Sequence, residues 1–162
     1  MNASEIRTRV AVLWVSTAIA ASCSLLLYLV VPGALNDMVV GEMEGEPLTD
    51  AIGYMFAALV AIPLAMATLT LLNGDRLTRY GNLIIATLLG LFAAFAVGSH
   101  LWAGDFNGHV LMAALACVLA FVTAGLSVTW LRGPVQDAVA SSSNRASNTP
   151  APSSDVAQPV PQ

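Results

Sequence analysis

The sequence predicts an all-α membrane protein: a four-transmembrane-helix bundle followed by a disordered C-terminal tail. Three observations predict it. Hydrophobic residues make up 57% of the 162-residue chain and charged residues 10%, where a soluble domain carries about a quarter charged. Mean hydropathy is +0.74. Four apolar runs, at 10–31, 51–72, 83–101 and 110–131, are each long enough to cross a hydrocarbon core about 30 Å thick at about 1.5 Å of rise per residue.

Residues 1–9 form a short polar head with Glu5, Arg7 and Arg9. The run that follows continues apolar past Ala20-Ala21-Ser22-Cys23 to Val31, so it reads as an uncleaved span rather than a signal peptide. Pro32-Gly33 ends it, because Pro cannot continue the ladder and Gly tolerates the turn. Residues 34–50 are too short and too acidic to span. Their first half reads as a turn of helix in the membrane interface and their second half as an acidic loop. Thr49 or Asp50 is placed to cap span two.

Span two holds Pro63, which removes a hydrogen bond and predicts a kink, with Thr68 and Thr70 available for local compensation. A polar loop at 73–81, carrying Asp75, Arg76 and Arg79, joins it to span three, and this hairpin organises the rest of the chain. Span three has Gly90, Ala94 and Gly98 at intervals of four, and span four has Ala116, Ala120 and Ala124 at the same spacing. Small residues on one face let another backbone approach closely, so both stripes read as helix-packing seams. Residues 10–132 form the transmembrane domain. The Ser/Pro-rich stretch 133–162 is too poor in bulky apolar residues to offset the entropy of ordering.

All six basic residues are arginines. Arg7 and Arg9, Arg76 and Arg79, and Arg132 fall on one side of the four spans, and the alternate loops carry none. The positive-inside rule then places both termini and the 73–81 loop in the cytoplasm. The opposite loops carry Asp37, Glu42, Glu44, Glu46, Asp50 and Asp105, an acidic outer face best read as solvated loop. The absence of Lys and the wealth of Ala suggest a bacterial inner membrane. Scattered arginines make no basic patch for nucleic acid.

No Asp, Glu, Lys, Arg or His lies in the central part of any span. Intramembrane charge is the usual mark of pumps, proton-coupled carriers and intramembrane hydrolases, so those classes are disfavoured. Cys23 and Cys117 read as small packing residues at similar depth. The outer loop 100–109 is the best candidate site. His100, Asp105 and His109 sit at adjoining helix ends and, with Glu42 or Glu46, offer imidazole and carboxylate ligands for a divalent metal. Their spacing matches no tight metal motif, and no cofactor is implied.

The segments Ile62-Pro63-Leu64-Ala65-Met66, Leu71-Leu72, the Arg76/Arg79 loop and Tyr80-Gly81-Asn82-Leu83-Ile84-Ile85 resemble a family of small four-helix bacterial membrane proteins of unknown function. More distantly, the layout is similar to that of the DoxX-like four-helix membrane proteins. The resemblance covers 13–131 in layout and 51–85 in residues. It implies a fold and a membrane location and supplies no substrate or catalytic residue.

Three functions are ranked from these observations. A non-enzymatic assembly or accessory subunit comes first, with the lipid bilayer and a homo-oligomer or membrane protein as partners. A small-molecule carrier or channel, formed by an oligomer around Pro63, comes second. A redox or metal-dependent enzyme subunit using His100, Asp105 and His109 comes third.

Overall fold

The computed structural model describes residues 3–43, 46–104 and 106–147. The described chain is almost wholly helical: α1 (Ala3–Tyr28), α2 (Ala34–Val40), α3 (Asp50–Leu72), α4 (Arg76–Ala103) and α5 (Gly108–Ser147). Between α2 and α3, β1 (Glu42–Met43) and β2 (Glu46–Pro47) form a minimal antiparallel ladder, with Glu42 opposite Pro47. Four segments are long and apolar enough to span a membrane: Ser4–Tyr28, Asp50–Leu72, Arg76–Ala103 and Gly108–Arg132. The expected all-α, four-span architecture is therefore met, and the chain is a multi-pass membrane protein.

The element boundaries differ from those expected, for local reasons. The head is helical rather than a separate segment. Arg9 pairs with Glu5 one turn earlier at 2.6 Å, Thr8 Oγ1 bonds back to Ser4 O, and no Gly or Pro interrupts. The first helix ends at Tyr28, before Pro32, and the chain turns through 29–33. Helix α2 supplies the short helix expected in the first half of 34–50. It lies between Gly33 (φ 92°) and Gly41 (φ 82°), left-handed positions that favour glycine.

The polar loop shrinks from 73–81 to residues 73–75. Asp75 caps α4, its Oδ1 accepting from Thr78 N–H at 2.8 Å, so helix begins at Arg76 and takes both arginines into its first turn. Thr49 stands at the N-cap of α3 without a side-chain bond. Helix α3 continues unbroken through Pro63. Of the two threonines expected to compensate, Thr68 bonds Leu64 O on its own helix and Thr70 crosses to Asn82 on α4.

Residues 3–131 form one compact unit, and a second begins at Arg132. The helical backbone of α5 continues through Gly133-Pro134 to Ser147, taking in the first half of the expected tail. Its run Val135-Gln136-Asp137-Ala138-Val139-Ala140 contains no further breaker. The rest of that tail, 148–162, lies outside the described residues.

In the first unit α1 packs along α3, its Trp14 reaches Asn82 of α4, and its Ser24 reaches His109 of α5. Helices α3 and α4, consecutive in sequence, pack together much more sparsely than α1 and α3. The core gathers Ile6, Val10 and Trp14 of α1, Met66 and Ala67 of α3, Ala86 of α4, and Ala124 and Trp130 of α5.

Both small-residue stripes can be placed. Ala116, Ala120 and Ala124 are all buried. Gly90 is buried against the Phe121 ring, which would stand 3.1 Å from a β-carbon there. Ala94 is exposed, and nothing lies within 4 Å of a β-carbon built at Gly98. Cys117 Sγ lies 3.5 Å from Gly90 O, and both cysteines are free thiols.

Candidate functional site

Polar side chains collect at the two ends of the bundle. At the end holding the α3–α4 turn the arrangement is a latch. Asn82, fully buried, accepts through Oδ1 from Trp14 Nε1 and from Thr70 Oγ1 (3.0 Å), and its Nδ2 donates to Thr78 O (2.8 Å). One amide thereby ties α1, α3 and α4, and its donor and acceptor are both used. Beside it the Arg79 guanidinium lies over the Trp130 ring, 5.0 Å from the centroid. Arg79 Nη1 donates to Trp130 O and Nε to Gly74 O. Trp130 O is the carbonyl that Pro134, four residues on and lacking an N–H, cannot satisfy within the helix. The latch fixes helices; it presents no reactive group to a ligand.

The other end holds a cavity. Gly104, left-handed at φ 79°, stops α4 by donating to His100 O and Leu101 O. Asn107 Oδ1 accepts from Val110 N–H and opens α5. The short turn between them brings the rings of His100 and His109 edge to face, with centroids 4.9 Å apart and planes at 82°. Tyr28 of α1 meets His109 in the same way at 5.5 Å. Ser24 Oγ donates to His109 O at 2.9 Å, holding the first turn of α5 against α1.

These groups close one end of a cavity of about 340 Å³ between α1, α3, α4 and α5. Its walls are Leu25 of α1, Met55, Phe56 and Leu59 of α3, Leu89, Phe92 and Ala96 of α4, and Ala113 and Ala116 of α5. Among the described residues no Asp, Glu, Lys or Arg lines it. An apolar chamber with a few hydrogen-bonding groups gathered at one place is the usual form of a small-molecule site, and its volume falls in the usual range of about 300–1,000 Å³.

The structure thus brings together His100 and His109 of the expected metal set. Asp105 lies outside the described residues, and Glu42 is exposed on β1. Among the described residues no three His, Cys, Asp or Glu side chains converge as metal ligands. Sequence reasoning missed Ser24 and Tyr28 as neighbours of the histidines, since no spacing along α1 marks them. It also passed over Asn82 and Trp14 as partners. An amide at the start of an apolar run was the available signal for Asn82, because a buried amide in lipid has to find a partner. No family model, curated protein or solved structure matches the chain.

Proposed function

We propose that this protein is a non-enzymatic membrane protein that holds a small amphiphilic molecule between its helices, with the molecule's polar end at Ser24, Tyr28, His100 and His109. The chamber carries this reading: its walls are apolar apart from Thr17, whose hydroxyl donates to Leu13 O of its own helix, and its other hydrogen-bonding groups gather at one end. A bilayer-embedded cavity of that form suits a ligand with the same polarity gradient. The reading raises small-molecule binding above the accessory-subunit role that the sequence alone favoured. Among the described residues no Asp, Glu, Lys or Arg lines the chamber, where proton or ion coupling would call for such groups.

The same proposal sets the protein in a bacterial inner membrane with both termini cytoplasmic, on the positions of Arg7, Arg9, Arg76, Arg79 and Arg132. The histidine end then faces outward. The family likeness of the α3–α4 hairpin belongs to this proposal and adds no ligand to it.

Native mass spectrometry of the full-length protein, gently extracted from its own membrane, tests the reading. The expected result is a retained non-covalent mass that is lost in Ala113→Phe, which fills the chamber, and kept in Gly98→Ala, which does not touch it. Wild-type protein without retained mass, or a mass indifferent to Ala113→Phe, would overturn it.

A second reading keeps the accessory-subunit role, on one observation: Ala94 and Gly98 of α4 face away from the rest of their own chain. A crosslink from Gly98→Cys to a second copy or to another membrane protein in intact cells would support that role.

A further inference from the structure

We propose that the chamber is loaded from within the bilayer, through the cleft between α3 and α4, by an uncharged single-tailed lipid whose hydroxyl or carbonyl head lies against Ser24, Tyr28, His100 and His109. This rests on the binding reading above and names its occupant and route.

Adjacency is the first argument. A second apolar cavity, of about 400 Å³, runs between Ala58 and Ile62 of α3 and Ile85 and Leu88 of α4. It shares Met55, Leu59, Leu89 and Phe92 with the chamber, so only these four side chains need to move for a tail to pass from the α3–α4 cleft to the histidine end. Packing is the second. The turn at 73–75 joins α3 and α4 at one end, and these two helices pack together far more sparsely than α1 and α3 do. The rim residues Ile62, Leu88 and Phe92 are 41%, 62% and 43% exposed. In a membrane that rim faces acyl chains, so a tail can slide in sideways while its head stays at the interface.

Charge is the third argument, and it selects the head. Among the described residues no Lys or Arg lines either cavity. Arg76 and Arg79 belong to the opposite end of α4, while the segments between α1 and α3 bring Asp37, Glu42 and Asp50 to the histidine end. An anionic head would find no permanent cation there and would meet repelling carboxylates. The Ser24 hydroxyl, its proton given to His109 O, can accept, and a tyrosine hydroxyl and imidazoles both donate and accept, which suits a neutral hydroxyl or carbonyl. A single cleft between two helices takes a single tail.

Photolabelling of the full-length protein in nanodiscs tests the proposal. The probe is a monoacylglycerol carrying a diazirine in mid-tail. Labelling is expected on residues 58–62 and 85–92, displaced by unlabelled monoacylglycerol and not by the ionised fatty acid of the same chain. Ala58→Phe, in the cleft but outside the chamber, should lower labelling several-fold, with Ala58→Leu giving a smaller drop should the larger side chain prevent folding. Labelling spread evenly over all four helices, equal competition by the fatty acid, or indifference to both Ala58 variants would overturn it. If the mass lost in Ala113→Phe persists in wild type under any of those results, the chamber still binds a ligand and only its identity and route fail. If that mass is also absent, the binding reading fails with them.

Discussion

Replacing Asn82 by Leu tests the latch with little change in volume. The variant removes the acceptor shared by Trp14 Nε1 and Thr70 Oγ1, both on fully buried residues. The two donors fare differently. The Thr70 hydroxyl can turn back to the Met66 carbonyl one turn earlier, so its loss is near the average membrane hydrogen bond, about 0.6 kcal/mol. The indole N–H of Trp14 has no such local alternative, and leaving it unpaired costs about 1–3 kcal/mol. The sum is about 1.6–3.6 kcal/mol. Trp14→Phe removes the donor that suffers most, so in that background Asn82→Leu should cost only about 0.6 kcal/mol. The coupling is then about 1–3 kcal/mol, at or above the upper end of membrane pairs. Reversible unfolding in mixed micelles, run as a double-mutant cycle, measures it. A coupling below about 0.3 kcal/mol would refute the claim that this bond holds α1 to α4.

Other perturbations follow from named contacts. Gly90→Leu should destabilise markedly by driving Phe121 from its seat 3.1 Å from the β-carbon position, while Gly98→Leu should leave monomer unfolding unchanged; thermal unfolding in detergent separates them. Arg79→Leu should unfold at lower temperature than Arg79→Lys, because Lys keeps the charge over Trp130 but lacks the fork that reaches Gly74 O and Trp130 O together. Hydrogen bonding from Thr78, side chain and then backbone, holds the exposed Asp75 carboxyl below its ordinary 3.8. A depressed acid stabilises the fold above its unfolded pKa and loses that contribution as pH falls through the folded value. Asp75→Asn should therefore be less stable than wild type at pH 7, with the gap closing toward low pH in unfolding titrations. With Cys23 and Cys117 replaced by Ser, an impermeant maleimide added to intact cells should label Phe106→Cys and spare Asn73→Cys; the reverse pattern would invert the proposed topology.

The four spans were legible because bilayer thickness sets a length that few soluble helices reach in unbroken apolar sequence. Their ends were less so. Arg76 and Arg79 look like loop, yet Asp75 starts a helix ahead of them, and Arg79 lays its guanidinium across Trp130 while the stem stays in the bundle. The convergence of His100 and His109 was readable from a short turn between two helices. Their neighbours Ser24 and Tyr28 were not, because which face of α1 meets α5 depends on packing among helices that are apolar all round. The same uniformity hid the close packing of α1 on α3 and the sparse packing of α3 on α4. Gly90 and Gly98 share a stripe, but only the position of Phe121 on another helix separates the filled seat from the open one.

The most direct test of the account is a nuclear Overhauser measurement on the full-length protein in nanodiscs, with labelled His, Phe and Ala side chains. The account predicts contacts from the His100 and His109 ring protons to head protons of a retained molecule, and from Phe92 and Ala113 to its tail. Histidine rings that meet only water, with Phe92 and Ala113 contacting protein alone, would contradict it.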